Sequence, residues 1–348
     1  MNRLMMDLPD ETVVQILAAL PYLDIATSVV HVCRSWHELR VSKHLSAARA
    51  VVDERGLVVT GGFNDEGRWS RLCLVLVGGR WFERASLPYD FAGPSAAFCG
   101  QLILLGVMCD NSDGQWSPCY LAFNLEASAW HTLDWKGLAG YCTCCCTAGS
   151  VVVTLSHVDI EAGARIRILR PGSGEGWVPI PDPPVDVFTS DLTPGICCVG
   201  DVVYVVGGAG ESGELSDALQ DFNLSTRAWT VRAPMPEPRC DAACVQLAGR
   251  LYVLGGRGSG GALLASVCSY DPHTGRWRLE STLSLENDRG SSLSGPLNAV
   301  AHEGRVVVIG LTGSPSLALV GDVWTELPPP PPVDSATRMG RLASPPLR

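Results

Sequence analysis

The sequence predicts an all-β propeller of six four-stranded blades, preceded by a short all-α segment. Three observations predict it. Tryptophan recurs roughly every 50 residues, at Trp81, Trp130, Trp177, Trp229, Trp277 and Trp324. A β-branched run ending in a glycine pair precedes several of them: Val58-Val59-Thr60-Gly61-Gly62, Tyr204-Val205-Val206-Gly207-Gly208 and Leu251-Tyr252-Val253-Leu254-Gly255-Gly256. The first 45 residues lack this pattern and place their apolar residues at helical spacing instead.

The N-terminal element, residues 1–45, opens on a helix start. Asp7 is a capping residue, Pro9 sits early where its missing N–H does no harm, and Asp10 and Glu11 favour the positive end of the helix dipole. Val13, Ile16, Leu17 and Leu20 share one face, and Pro21 ends the helix. Asp24 caps a second helix, whose apolar face runs through Val29, Val32, Cys33, Trp36 and Leu39. So short a segment seldom stabilises itself without a staple or a partner. It therefore packs on another protein or caps the rest of its own chain.

Residues 46–327 read as β. The fifth repeat is the clearest, with runs at 241–247, 250–254, 266–271 and 276–280. Four such runs per repeat make one blade. Gly pairs, β-branched content and Pro-rich connections argue against helix here. The pairs Gly61/Gly62, Gly207/Gly208 and Gly255/Gly256 let backbones crowd where a Cβ would clash, and each Trp packs one blade on the next. Repeats two, three and six (102–106, 151–155, 306–310) have lost one or both glycines, so their place rests on the Trp spacing. Six complete four-strand sets fill 47–327, which leaves no strand to exchange between first and last blades. Residues 328–348 open on a proline run and read as an extended, disordered tail.

Two family resemblances follow from these residues. A strand ending in a Gly pair, then Tyr-Asp, then Trp about six residues later resembles the kelch repeat; Tyr270-Asp271 with Trp277 matches it, as does Asp221-Phe222-Asn223 with Trp229. Leu8-Pro9-Asp10-Glu11, Ile16-Leu17, Leu20-Pro21, Leu23-Asp24 and Val32-Cys33-Arg34-Ser35-Trp36 resemble an F-box. The resemblances imply a kelch-type propeller behind an F-box-like segment. They also imply that Leu8, Pro9, Ile16, Leu17, Leu20, Pro21, Val32, Cys33 and Trp36 contact a Skp-type adaptor, and through it a cullin–RING ubiquitin ligase.

Composition narrows the partners. The chain has 348 residues, a formal net charge of −10 and 14 cysteines. The charge of residues 1–50 is balanced, so the acidic excess lies in the body, which argues against nucleic acid and anionic membranes. Acids in residues 1–15 leave no apolar signal core, and the scattered cysteines are not a disulfide framework, so a cytoplasmic or nuclear location is expected. Lysine occurs only at Lys43 and Lys136. Codon bias explains this, as does selection against self-modification beside a ligase.

Loop lengths give the propeller a direction. Connections between strands one and two and between three and four share one face and are short (100–101, 199–201, 248–250, 303–305, 225–227). The others share the opposite face and are long (63–70, 107–118, 179–194, 210–216, 286–294). Long loops on a rigid scaffold are the usual place for recognition. Arg68, Trp69, Trp116, Arg239, Arg257 and Arg289 lie there, and exposed Trp and Arg are enriched where partners bind.

The sequence shows no enzyme chemistry. Cys142, Cys144, Cys145 and Cys146 include one zinc-like offset but no matching second pair, and strand alternation scatters them. His131, His157, His273 and His302 fall in different repeats. Gly255-Gly256-Arg257-Gly258 follows a strand but leads into another strand, which is the wrong context for phosphate. No cofactor or metal is expected. The functional expectation is a non-enzymatic substrate receptor of a ubiquitin ligase that holds an unidentified target protein on its long-loop face. The alternative is a kelch scaffold outside any ligase.

Overall fold

In the computed structural model the described residues run from 57 to 343. Residues 1–56 and 344–348 lie outside the description, as do several internal segments, the longest being 64–70, 110–115, 134–140, 158–165, 284–296, 310–316 and 328–337. The expected helical segment and its adaptor-contact residues therefore lie outside the described residues.

The described chain is an all-β propeller, with a single short 3-10 turn at Ser259–Gly261 as its only helix-like element. Its strands form six antiparallel four-stranded sheets. From innermost to outermost strand, the second holds Phe91–Phe98, Leu102–Cys109, Trp116–Asn124 and Ala129–Thr132. The third holds Tyr141–Ala148, Val151–His157, Ile166–Leu169 and Val178–Pro179. The fourth holds Gly195–Val199, Val202–Val206, Leu219–Asn223 and Ala228–Val231. The fifth holds Ala243–Leu247, Arg250–Leu254, Val267–Asp271 and Arg276–Leu279. The sixth holds Asn298–His302, Arg305–Ile309, Leu317–Val320 and Val323–Glu326.

The first sheet corrects the sequence reading of the tail. Its outer three strands, Leu57–Thr60, Cys73–Val77 and Arg80–Glu83, come from the start of the propeller. Its innermost strand is Leu342–Ala343, with Val58 opposite Ala343 and Val59 opposite Leu342. A second tail strand, Arg338–Met339, pairs with Gly62–Phe63. The segment expected to be disordered therefore supplies the inter-terminal strand that was expected to be missing. Two backbone ladders outweigh the poor β content of the tail, because each satisfies polar groups along an otherwise open sheet edge. The innermost strands neighbour one another in a closed cycle, from Leu342–Ala343 through each sheet to Asn298–His302 and back.

The Trp period has a physical cause. Trp130, Trp229, Trp277 and Trp324 are half-buried on outermost strands whose other residues are exposed. Each indole Nε1 donates to a carbonyl just beyond the previous sheet: Ala85 (2.8 Å), Pro181 (2.8 Å), Ala233 (2.8 Å) and Ser281 (3.0 Å). Three of these indoles also pack on an aromatic ring directly across the sheet, Phe123, Phe222 or Tyr270, with centroids 5.1–5.2 Å apart. The residue is thus both apolar filler and a hydrogen-bonded clip between sheets. Trp177 is buried among Ile103, Leu105, Tyr120, Val152 and Leu169, between the second and third sheets. Trp81 lies on Arg80–Glu83, opposite Leu76.

Candidate functional site

The antiparallel order sends the connections between second and third strands, and those between sheets, to one face. On the opposite face the tight turns Ala248-Gly249 and Glu303-Gly304 have positive φ at both residues, the mirror-image geometry that suits twisted hairpins. The third-to-fourth-strand turns there are built by an acid or amide that sequence reasoning passed over. Asp271 Oδ1 accepts from the backbone N–H of His273 (2.9 Å) and Thr274 (3.3 Å), and Asn223 Oδ1 accepts from Ser225 (2.9 Å) and Thr226 (2.8 Å). Desolvation raises the Asp271 pKa, but the His273 and Thr274 N–H bonds, together with the charges of Arg250 and His273, outweigh it and hold the carboxyl below its usual range. The available signal was an Asp or Asn opening a four-residue turn.

On the long-loop face, the loops of the fourth and fifth sheets are tied together. Gln220 is fully buried, and its amide makes two bonds to one residue of the inter-sheet linker: Nε2 to Val185 O and Val185 N to Oε1, both 2.8 Å. Asp241 Oδ1 accepts from Thr193 N (3.1 Å) and Thr193 Oγ1 (3.0 Å), while its Oδ2 lies 3.4 Å from Arg257 Nε. Cys240 and Arg257 exchange backbone bonds of 3.1 and 2.9 Å. Two linkers and one hairpin loop thus form one connected frame.

The glycine pair makes that closeness sterically feasible. Gly207 and Gly208 have φ of +65° and +99°. A Cβ on Gly208 would press into the Val187 carbonyl, and one on Gly207 into the Arg239 carbonyl. The glycines therefore admit the linkers on both sides of the sheet.

Of the expected target contacts, Arg239 is corrected. It is only 1% exposed. Its Nη1 donates to Gly255 O (2.9 Å) and Ser266 O (3.1 Å), and its Nη2 to Ser266 Oγ (2.9 Å) and Glu237 Oε2 (3.1 Å). It fastens the two ends of loop 255–266 from inside and has no surface to offer a partner. Trp116 is also corrected. It opens a strand opposite Cys109 rather than lying in a long loop, because strand pairing extends through Val107–Pro118. Arg257 is the described candidate that stays on the surface, with its side chain 46% exposed. Arg68, Trp69 and Arg289 lie outside the described residues, as does Gly61.

The cysteines behave as small core residues. Cys144 and Cys146 pack into the core with Cys198, and Cys145 into the core with Ile103 and Val152. Alternation along one strand causes the split. Burial pushes the thiols of Cys119, Cys240 and Cys268 up to about 11, so they are protonated at neutral pH. Among the described residues, no three His, Cys, Asp or Glu side chains converge as a metal site would require.

Comparisons with known proteins fall on the same elements. Kelch motifs match residues 193–236 and 238–284, and an F-box-like family profile matches 5–45. Kelch-like protein 34 of Homo sapiens is 32% identical over 126 residues, covering 33% of this chain and 19% of that protein. F-box/kelch-repeat protein SKIP4 of Arabidopsis thaliana is 25% identical over 163 residues, covering 46% of this chain and 43% of that protein. The chain spans less than half the length of these relatives. A solved structure titled "Structure of YjhT" superposes with a TM-score of 0.57 at 15% identity, covering 77% of this chain and 96% of that one. That likeness concerns the fold.

Proposed function

We propose that this chain, which joins an F-box-like segment to kelch motifs in the manner of F-box/kelch-repeat proteins, is a substrate receptor of a cullin–RING ubiquitin ligase. In this reading residues 1–45 bind a Skp-type adaptor. The propeller is a six-bladed ring from about residue 57 to 343, sealed by the tail strand, and its long-loop face holds the target protein. The receptor positions a substrate and performs no bond chemistry, and it works in the cytoplasm or nucleus.

The observation that carries the reading is the co-occurrence, in one chain, of the F-box-like match and a recognition scaffold whose long loops share one face. The frame built by Gln220, Asp241 and Gly208 supports it, because loops held in place present a surface at low entropic cost. The test is co-purification of the full chain with a Skp-type adaptor, beside a Leu8→Ala/Pro9→Ala double variant. Adaptor capture by the parent and its loss in the variant support the proposal. Undiminished capture by the variant, or none by the parent, rejects it in favour of a scaffold outside the ligase.

A further inference from the structure

The propeller's innermost strands bring together two cysteines that the repeat pattern does not use. Cys146 lies on Tyr141–Ala148 of the third sheet and Cys198 on Gly195–Val199 of the fourth. These strands are neighbours in the central cycle. Cys146 Sγ and Cys198 Sγ stand 3.0 Å apart. A disulfide bond is about 2.05 Å long, so a movement of about 1 Å joins them. The flanking thiols face elsewhere: Cys145 packs toward the second sheet, and Cys197 packs with Cys268 between the fourth and fifth.

We propose that Cys146 and Cys198 form an inter-sheet disulfide on exposure to a small peroxide, a covalent staple between the third and fourth sheets. Both residues are largely enclosed, Cys146 slightly less so than Cys198, and the peroxide reacts first at Cys146. The Cys146 thiol loses its proton, and its sulfur attacks the O–O bond. An S–O bond forms, the O–O bond breaks, and the departing hydroxide takes up the proton as water. The Cys198 sulfur then displaces the sulfenic hydroxyl. The S–S bond forms, the S–O bond breaks, and the Cys198 proton leaves in a second water. Two thiols are oxidised by two electrons and one peroxide is reduced to two waters. The hydrogen bond to Cys198 and burial both push the Cys146 thiol well above its ordinary range, so little of it is thiolate at neutral pH and the staple forms slowly.

The disulfide joins positions 52 residues apart and so restricts the unfolded chain. The test treats the full chain with hydrogen peroxide for several hours, then alkylates remaining thiols and digests at Lys and Arg. The expected product links fragment 137–165 to fragment 168–227 through Cys146 and Cys198, with a rise in Tm of roughly 5 °C over the untreated protein. Each variant is compared with its own untreated form, so a change in basal stability does not obscure the result. Cys146→Ala and Cys198→Ala should lose both link and rise, whereas Cys145→Ala and Cys197→Ala should keep both. A parent that ends as sulfinic acid with no link overturns the proposal. So does a link that survives Cys198→Ala or maps to Cys197.

Discussion

Gly208→Ala tests whether the glycine pair serves close approach or merely positive φ. Gly208 has φ +99°, and an added Cβ would sit 3.1 Å from Pro194 Cβ while pressing into the Val187 carbonyl. Ala209 N donates to that same carbonyl at 3.2 Å, so relieving the clash also stretches a backbone bond. The left-handed conformation costs an L residue about 1–2 kcal/mol. Forcing a packed linker aside adds about 1–3 kcal/mol, because a backbone oxygen yields less readily than a side-chain tip. The expected loss is about 3 kcal/mol. Gly213 provides the control: its φ is +83°, but nothing lies within 4 Å of the added Cβ. Gly213→Ala should therefore show only the conformational cost, about 1–2 kcal/mol. Urea denaturation of both variants, with Tm in support, measures the difference. Equal losses would refute the close-approach argument, and so would a Gly208→Ala variant as stable as the parent.

Other outcomes follow from the same contacts. Arg239→Ala should cost about 3 kcal/mol, since it strips bonds from the buried carbonyl of Gly255 and the half-buried carbonyl of Ser266, whereas Arg257→Ala should cost under about 1 kcal/mol and act on target binding instead; denaturation paired with a binding assay separates them. Truncation after residue 337 removes both tail strands, so it should lower Tm and increase aggregation by light scattering, because the first sheet regains an open inner edge. His302 is buried, and burial lowers its pKa from 6.5. The unfolded state then binds more protons, so stability should fall as pH drops below 6.5 until the folded-state pKa is reached; Tm measured at pH 7.5 and 5.5 should differ less in His302→Asn.

The sequence disclosed those parts of the fold that repeat, because a repeated contact leaves a repeated residue. Trp229 and Trp277 stand out because each sheet must clip to the one before it, and Gly207/Gly208 and Gly255/Gly256 stand out because linkers press on the same point in both sheets. Even Trp177, whose sheet lacks the glycine pair, was placed between sheets by spacing alone. Arg239 was misplaced for the converse reason. Its type and loop position suit a surface cation, and only the meeting of loop ends 255 and 266 around it, set by tertiary packing, makes it a buried fastener.

The closing strand was illegible for a more general reason. Strand signals come from alternation and β-branched content, and Leu342-Ala343 is a two-residue ladder carrying neither. Such a strand is specified by the vacancy it fills: Leu57–Thr60 offers an inner edge that no earlier described strand covers. Closure through the far end of the chain also makes the ring dependent on long-range pairing, which costs loop entropy before it returns contacts. The first sheet should accordingly be the last to become protected from amide exchange during refolding, after the fourth and fifth sheets, whose four strands each come from one continuous stretch of sequence. Pulse-labelled hydrogen exchange measures that order, and early protection of Val58 and Val59 would show that closure does not wait for the tail.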